Sequence, residues 1–233
     1  MKNISILCPT RQRAERAVNY AESVFETANE PERVELLFYI DSDDPEKARY
    51  LDLFIGFPLK YKVKIIVDEP KSISKSWNDL AKACIGDILL MGNDDLVHET
   101  HGWDTVLENT SNEFPDDIYC IFFNDGINAG KHCAFPAVSR KWYETLGYFT
   151  PGIFEFIAND SWVFDIGKRV NRIRYVPEVM VRHNHHSVTK FKDETTKRHR
   201  DYNPGRIKRD LSLMKKTGDQ REIDANKLRS VMF

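Results

Sequence analysis

The sequence predicts an α/β fold in which helices cover both faces of a mostly parallel central sheet. Two observations lead to this prediction. Short apolar runs alternate with segments of helical period through the first half of the chain, and polar residues follow several of those runs. With 233 residues, the chain is long enough to bury a sizeable core as one large domain, or as one domain with an extension.

The first half is predicted to contain four strands. They are Ile4–Cys8, Leu36–Ile40, Lys62–Val67 and Ile88–Met91. Apolar residues at helical spacing predict a helix after Pro9, with Thr10 as its N-cap, and another that buries Trp77 and Leu80. Pro45 fits the first turn of a further helix, because its fixed φ suits that position.

The second half is less regular, and mixed strand pairing is predicted there. Short helices are expected around Trp103, over Arg140–Leu146 and over Asp160–Val170. The predicted strands are Ile118–Phe123, Cys133–Val138, Ile173–Tyr175 and Val179–Arg182. After His186 the composition turns polar, which predicts one or two amphipathic helices that wrap on the body.

Charge is distributed unevenly along the chain. Residues 190–233 carry 13 of the 34 Lys and Arg residues but only 7 of the 36 Asp and Glu residues. The tail is therefore basic and the body acidic. A basic tail can meet nucleic acid, an anionic membrane, a phosphorylated ligand or the acidic body itself.

Hydropathy and cysteine usage indicate where the protein works. No apolar stretch approaches the roughly 20 residues that a membrane-spanning helix needs, so we expect a cytoplasmic protein without a transmembrane segment. The four cysteines are far apart and form no Cys-x-x-Cys pair. This spacing predicts reduced, mostly buried thiols and argues against a zinc site or a disulfide framework.

Polar residues follow three of the predicted parallel strands. These segments are Pro9-Thr10-Arg11, Asp41-Ser42-Asp43 and Asn93-Asp94-Asp95. One carboxylate after a strand is more often a cap or a turn residue, but three such ends converge on one edge of an α/β sheet, where ligands bind. Adjacent carboxylates repel each other, and a hard divalent cation that bridges to phosphate oxygens relieves the repulsion.

The order and spacing of these segments resemble those of GT-A-fold glycosyltransferases of the family 2 type. Ile4–Arg11 resembles the opening strand with its Pro-Thr-x-x-Arg turn, and Asp41-Ser42-Asp43 resembles the acidic end of the second strand. Ser74–Ala81 resembles the helix that bears Arg-Asn-x-Gly. Ile88–Asp95 resembles the strand that ends in the Asp-x-Asp-type signature. This chain departs from that signature, because Gly92 stands where the family pattern has its first acid.

The resemblance implies an enzyme that moves a sugar from a UDP- or GDP-sugar to an acceptor hydroxyl on a glycan, a lipid-linked sugar or a protein, with Mn²⁺ or Mg²⁺ as cofactor. It implies a GT-A-like catalytic domain over residues 1–186, with a nucleotide-binding half (1–100) and an acceptor half (101–186), followed by a basic helical extension (187–233). The residues implied to bind the nucleotide-sugar are Thr10, Arg11, Asp41, Asp43, Asn78, Asn93 and Asp94.

The resemblance also implies the metal ligands and the base. Asp95 is the implied metal ligand, assisted by His183 or His185, which strand alternation places on the same side. Asp160, which precedes a predicted helix, is the implied general base of an inverting transfer; its other reading is an N-cap.

Two other kinds of function stay open. A nucleotidyltransferase of related fold would need a glycine-rich phosphate loop after the first strand, and Pro9–Arg16 contains no glycine. A non-catalytic protein could bind a nucleotide-sugar, or nucleic acid through the basic tail with Phe191 and Tyr202, although we do not expect a nucleic-acid partner. The tail itself has three open roles: a lid over the donor site, an acceptor surface or a homo-oligomer contact. The residues expected to be merely structural or on the surface are His98, His101 and His132.

Overall fold

The computed structural model describes the backbone of residues 1–233 and every side chain except that of His199. Over this described chain there are eight β-strands and ten α-helices. The strands are β1 (Ile4–Thr10), β2 (Val34–Asp41), β3 (Lys62–Asp68), β4 (Ile88–Met91), β5 (Leu96–His98), β6 (Cys120–Asn124), β7 (Ala137–Ser139) and β8 (Ile173–His183). The helices are α1 (Ala14–Thr27), α2 (Lys47–Ile55), α3 (Ile73–Ala83), α4 (Trp103–Ser111), α5 (Arg140–Leu146), α6 (Asn159–Arg169), α7 (His186–Thr189), α8 (Glu194–Arg200), α9 (Pro204–Lys216) and α10 (Gly218–Arg229).

One sheet runs through the molecule in the order β3-β2-β1-β4-β7-β6-β8-β5. The strands β1 to β4 pair in parallel, whereas β7 is antiparallel to both β4 and β6. In the remainder, β8 is parallel to β6 and antiparallel to β5. The predicted α/β architecture with a mostly parallel sheet is confirmed, and every antiparallel pair involves β7 or β8 from the second half.

Each face of the sheet is covered by its own hydrophobic core. Along β1, Ile6 and Cys8 pack into one core and Leu7 into the other, which is why this strand is a continuous apolar run. Helix α1 supplies Val24 to the first core, and α10 supplies Leu228, which is fully buried, to the second. The C-terminal helices therefore share the core of the body, whereas the predicted division at residue 186 stays a prediction.

The start of α1 differs from the sequence-based prediction. Thr10 is the last residue of β1, and α1 begins only at Ala14, with Arg13 at the N-cap position. The hydroxyl of Thr10 is occupied by two distant partners, Asp94 and Tyr50, and so does not cap a helix. A tertiary contact has overridden the local capping signal.

Several further boundaries differ. Helix α2 begins at Lys47, just beyond Pro45. A single strand, β8, replaces the two late strands that were predicted, with a register irregularity beside Asn124. The predicted strand Cys133–Val138 is replaced by the shorter strand β7. Strand β5 was not predicted, because its three residues are too few to show a periodic pattern. The tail forms four helices where one or two were predicted.

Two expectations about burial and hydropathy can be compared with the structure. All four cysteines are buried and unbridged, as predicted. Within the described residues, no helix is both long enough and apolar enough to cross a lipid bilayer.

Candidate functional site

A cavity of about 500 Å³ lies at the carboxyl edge of the sheet, where β1, β2 and β4 end. Its floor includes Thr10, Asp41 and Asp95 from those strand ends, and one wall includes Asp160 at the start of α6. The C-terminal tail covers it, because residues of α8 and the first turn of α9 also line the cavity. This volume is typical of a small-molecule site.

Asp94 is held by two protein donors. Its side chain is almost fully buried; Oδ1 accepts a hydrogen bond from Arg13 Nη1 at 2.7 Å, and Oδ2 accepts one from Thr10 Oγ1 at 2.6 Å. Burial raises the pKa of Asp94 above its usual value, and the adjacent Arg13 charge opposes that rise. Thr10 and Asp94 both line the cavity, but their polar atoms already hold the strand ends together.

Asp95 is placed differently. Its Oδ2 lies 3.5 Å from His183 Nε2, while Oδ1 is buried and has no hydrogen-bond partner among the described residues. Burial alone would raise the pKa of Asp95, but His183, Arg13 and Arg16 together outweigh burial and leave the pKa below its usual value. An ionised, buried oxygen without a partner is costly unless a ligand or a cation satisfies it.

The predicted metal ligands are only partly brought together. Among the described side chains, no three His, Cys, Asp or Glu residues are placed to hold one metal ion. His185 lines the cavity, but its Nδ1 contacts Ser187 Oγ at 2.7 Å and its Nε2 lies 3.3 Å from Arg200. Burial, and then neighbouring positive charges, lower the pKa of His185 to about 4. Of the predicted ligands, Asp95 and His183 are close enough to share a cation, which would need phosphate or water at its other positions.

The second strand end pairs with the first. Arg11 Nη1 donates to Asp41 Oδ2 at 2.8 Å and also contacts the Asp43 carboxylate. Of these three, Arg11 and Asp41 line the cavity, whereas Asp43 does not, and its side chain is 56% exposed. Asp43, which was expected to contact the nucleotide, thus lies outside the residues that line the cavity and pairs with Arg11.

The two asparagines that were predicted to bind the nucleotide-sugar, Asn78 and Asn93, differ in whether they line the cavity. Asn78 does not line the cavity; its Oδ1 accepts from the backbone N–H groups of Phe149 and Thr150, and its Nδ2 donates to the Thr150 carbonyl. It therefore holds the loop before α6, and its role in binding the nucleotide-sugar stays a prediction. Asn93 does line the cavity, and its Oδ1 accepts from the Asp94 N–H at 3.1 Å.

Asp160 stands in the first turn of α6, with Ala158 at the N-cap, so the N-cap reading of Asp160 is wrong. Its Oδ1 accepts from the N–H of Ser161 at 2.7 Å, and its Oδ2 lies 3.0 Å from His132 Nε2. The hydrogen bond to Asp160 is the main cause of the raised pKa of His132.

Sequence reasoning missed three contributors to this site. Arg13 bridges Asp94 and the tail residue Asp193, whose oxygens lie 2.8 and 3.1 Å from the guanidinium. His132 was expected to be structural or on the surface, and it is the partner of Asp160. The buried carboxylate of Asp210 accepts three backbone N–H groups from residues 155–157, which line the cavity just before α6. These contacts join residues far apart in sequence, so no local pattern signals them.

Comparison with known proteins identifies the fold. No protein-family model and no curated protein matches the sequence. Among solved structures, the mannosyltransferase PcManGT from Pyrobaculum calidifontis, in complex with GDP-Man and Mn²⁺, aligns with a TM-score of 0.64 at 12% identity over 78% of this chain. Residues 1–349 of S. aureus TarS align with TM-scores of 0.61 in the UDP complex and 0.58 in the UDP-GlcNAc complex, at 12% and 11% identity over 77% and 83% of this chain.

This chain spans 57% of the mannosyltransferase chain, and 59% and 63% of the two TarS chains. At such low identity the similarity concerns the fold, and it agrees with the resemblance seen in the sequence. The chain therefore has a GT-A-like glycosyltransferase fold.

Proposed function

We propose that this protein is a glycosyltransferase that moves a sugar from a UDP- or GDP-sugar to a hydroxyl group of an acceptor. One observation carries the proposal: a single cavity at the sheet edge is lined both by Asp95 with His183 and by Asp160. The fold supports it, since proteins of similar fold hold GDP-Man with Mn²⁺ or UDP-GlcNAc. The acceptor class, whether glycan, lipid-linked sugar or protein, belongs to the same proposal.

Asp95 and His183 are the residues that would hold Mn²⁺ or Mg²⁺. The buried, unpartnered Oδ1 of Asp95 supports this, because a carboxylate oxygen in that state suits a hard cation. When bound, the cation supplies positive charge near the diphosphate that leaves. The proposed contacts to the nucleotide are Asn93, Arg11 and Asp41, which line the same cavity.

Asp160 is the proposed general base. In an inverting transfer, its carboxylate takes the proton of the acceptor hydroxyl as the hydroxyl oxygen attacks the anomeric carbon from the side opposite the leaving group. The carboxylate lines the cavity and has His132 behind it, 3.0 Å from Oδ2. His132 thus orients Asp160 without occupying the cavity lining.

The test begins with ligand binding. UDP- and GDP-sugars are screened, with and without Mn²⁺, for a rise in melting temperature, and the donors that bind are then assayed for nucleotide release. The wild type should show a metal-dependent rise that Asp95→Ala abolishes. Asp160→Asn should keep the rise in melting temperature but lose sugar transfer.

Each failure has a distinct meaning. If no nucleotide-sugar produces a metal-dependent rise, the proposed metal-assisted donor site is wrong. If Asp160→Asn is folded but no longer binds the donor, Asp160 is a binding residue and not the base. Donor binding without turnover for any acceptor class would favour a non-catalytic nucleotide-sugar-binding protein.

A further inference from the structure

Three arginines of the C-terminal tail, Arg198, Arg200 and Arg206, line the same cavity as the strand ends. Arg198 and Arg200 belong to α8, and Arg206 lies in the first turn of α9. All three are only partly exposed. We refer to them as the tail arginines.

The cations that the body contributes to the cavity are already paired. Arg11 pairs with Asp41, Arg13 with Asp94, and Lys71 with Asp79 and Asp68. Arg16, in α1, pairs with Asp193. These body cations therefore have little charge left for a ligand.

The tail arginines are not paired in this way. Among the described residues, none of the three forms a salt bridge with a carboxylate. The guanidinium Nη2 of Arg200 lies 3.3 Å from Nε2 of His185. Asp41 and Asp43 attract Arg198, and Asp201 attracts Arg200, from beyond salt-bridge distance. The guanidinium donors at the cavity are therefore available to a bound anion.

The position of these arginines is fixed by contacts at the start of α8. Asp193 caps the helix by accepting from the Thr196 N–H, and it also accepts from Arg13. Thr195 Oγ1 donates to the carbonyl of Arg11 at 2.5 Å. The tail is thus attached to the loop after β1, so the tail arginines are held over the strand ends.

We propose that the tail arginines form an anion site for the diphosphate of the nucleotide donor, an inference that rests on the proposed function. Guanidinium groups bind phosphate oxygens through charge-assisted, often bidentate hydrogen bonds. Among the described side chains, no three His, Cys, Asp or Glu residues are placed to hold one cation, so the tail arginines would add positive charge for the leaving group. As the bond between the anomeric carbon and the phosphate oxygen breaks, its electron pair stays on that oxygen, and the guanidiniums offset the new charge.

A diphosphate fits better than a nucleic acid strand. The arginines face a cavity of about 500 Å³, large enough for a small molecule, and they do not form an open basic stripe. The basic tail that the sequence reveals is therefore directed, at these three positions, towards the sheet edge.

The test is a calorimetric titration of the full chain with UDP, GDP, inorganic pyrophosphate and uridine, in EDTA and again with Mn²⁺. The variant R198Q/R200Q/R206Q removes the three charges. The matched control K208Q/K215Q/K216Q removes three charges from exposed positions on α9 that do not line the cavity.

Each arginine should contribute about a tenfold factor in affinity, so the triple variant should bind the diphosphates roughly 1000-fold more weakly if the three contributions are additive. The triple variant should lose affinity for the diphosphates in EDTA as well as with Mn²⁺. The lysine control should change affinity by less than about threefold, because exposed charges are screened. Uridine, which has no phosphate, should bind both variants as it binds the wild type. Substitution by lysine at the three positions should give intermediate affinity, since charge remains but the planar donor fork is lost.

Unchanged diphosphate affinity in a folded R198Q/R200Q/R206Q variant would overturn the proposal. An equal loss in the lysine control would also overturn it, since the effect would then be one of net charge. A wild type that binds pyrophosphate through the tail arginines but binds no UDP- or GDP-sugar would support the anion site while refuting the proposed function. Nucleotide-sugar binding that does not depend on the tail arginines would support the proposed function while refuting the anion site.

Discussion

Replacing Arg13 by methionine should strongly destabilise the protein, because it leaves Asp94 as an unpaired buried carboxylate. The Arg13 side chain is 10% exposed and that of Asp94 is 2% exposed, so solvent screens the pair very little. Removing one partner of a buried ion pair costs about 3–5 kcal/mol. For a chain of this length, that corresponds to a fall in melting temperature of about 6–20 °C.

The loss of stability in Arg13→Met should depend on pH. A carboxyl group whose pKa is raised in the folded state binds its proton more tightly there, so its ionisation lowers stability as pH rises through the folded pKa. Without Arg13, the pKa of Asp94 should rise further than in the wild type. Arg13 also holds the pKa of Asp193 below its usual value, a stabilisation that the wild type loses as pH falls. Both effects make the difference between wild type and Arg13→Met smallest in acid.

The assay is urea unfolding of both proteins at several pH values, with thermal melts in parallel. The double variant Arg13→Met/Asp94→Asn is the matched control, since it removes the buried charge as well and should recover much of the lost stability. A loss below about 1 kcal/mol that does not vary with pH would refute the reasoning. So would a double variant no more stable than Arg13→Met alone.

Two further variants test the wall of the cavity. Asp210→Ala removes the acceptor of three backbone N–H groups of residues 155–157, so it should lower the free energy of unfolding by about 3–5 kcal/mol and speed hydrogen exchange of those amides. Asp210→Asn keeps one acceptor oxygen, so its stability should lie between those of wild type and Asp210→Ala. Unchanged exchange in Asp210→Ala would show that the loop does not depend on this carboxylate. His132→Gln should cost less than about 1 kcal/mol, because His132 is 36% exposed. Its pKa is raised in the folded state, so the stabilisation is present below the unfolded pKa and is lost as pH rises through the folded pKa. Melts of His132→Gln and wild type should therefore differ in mildly acidic buffer and converge in alkaline buffer, and a difference that grows with pH would contradict the pairing with Asp160.

The sequence by itself determined the layered architecture and the edge at which the site lies. Ile88–Met91 and Arg140–Leu146 form the elements that their patterns predict, because apolar runs and helical periods are local properties of the chain. The carboxyl ends of β1, β2 and β4 meet at one cavity for a topological reason: adjacent parallel strands end on the same side.

Only the tertiary structure decided which polar groups remain available at that edge. Thr10 and Asp94 each form hydrogen bonds with a residue more than 80 positions away in the sequence, and Asn78 forms hydrogen bonds with the loop before α6. Arg13 reaches a tail residue 180 positions away, and this contact helps to hold the tail arginines over the cavity. A local pattern can predict that a polar residue stands at a strand end. Whether its hydrogen bonds are already made depends on groups that folding brings from elsewhere in the chain, because every buried donor and acceptor needs a partner and takes the one within reach.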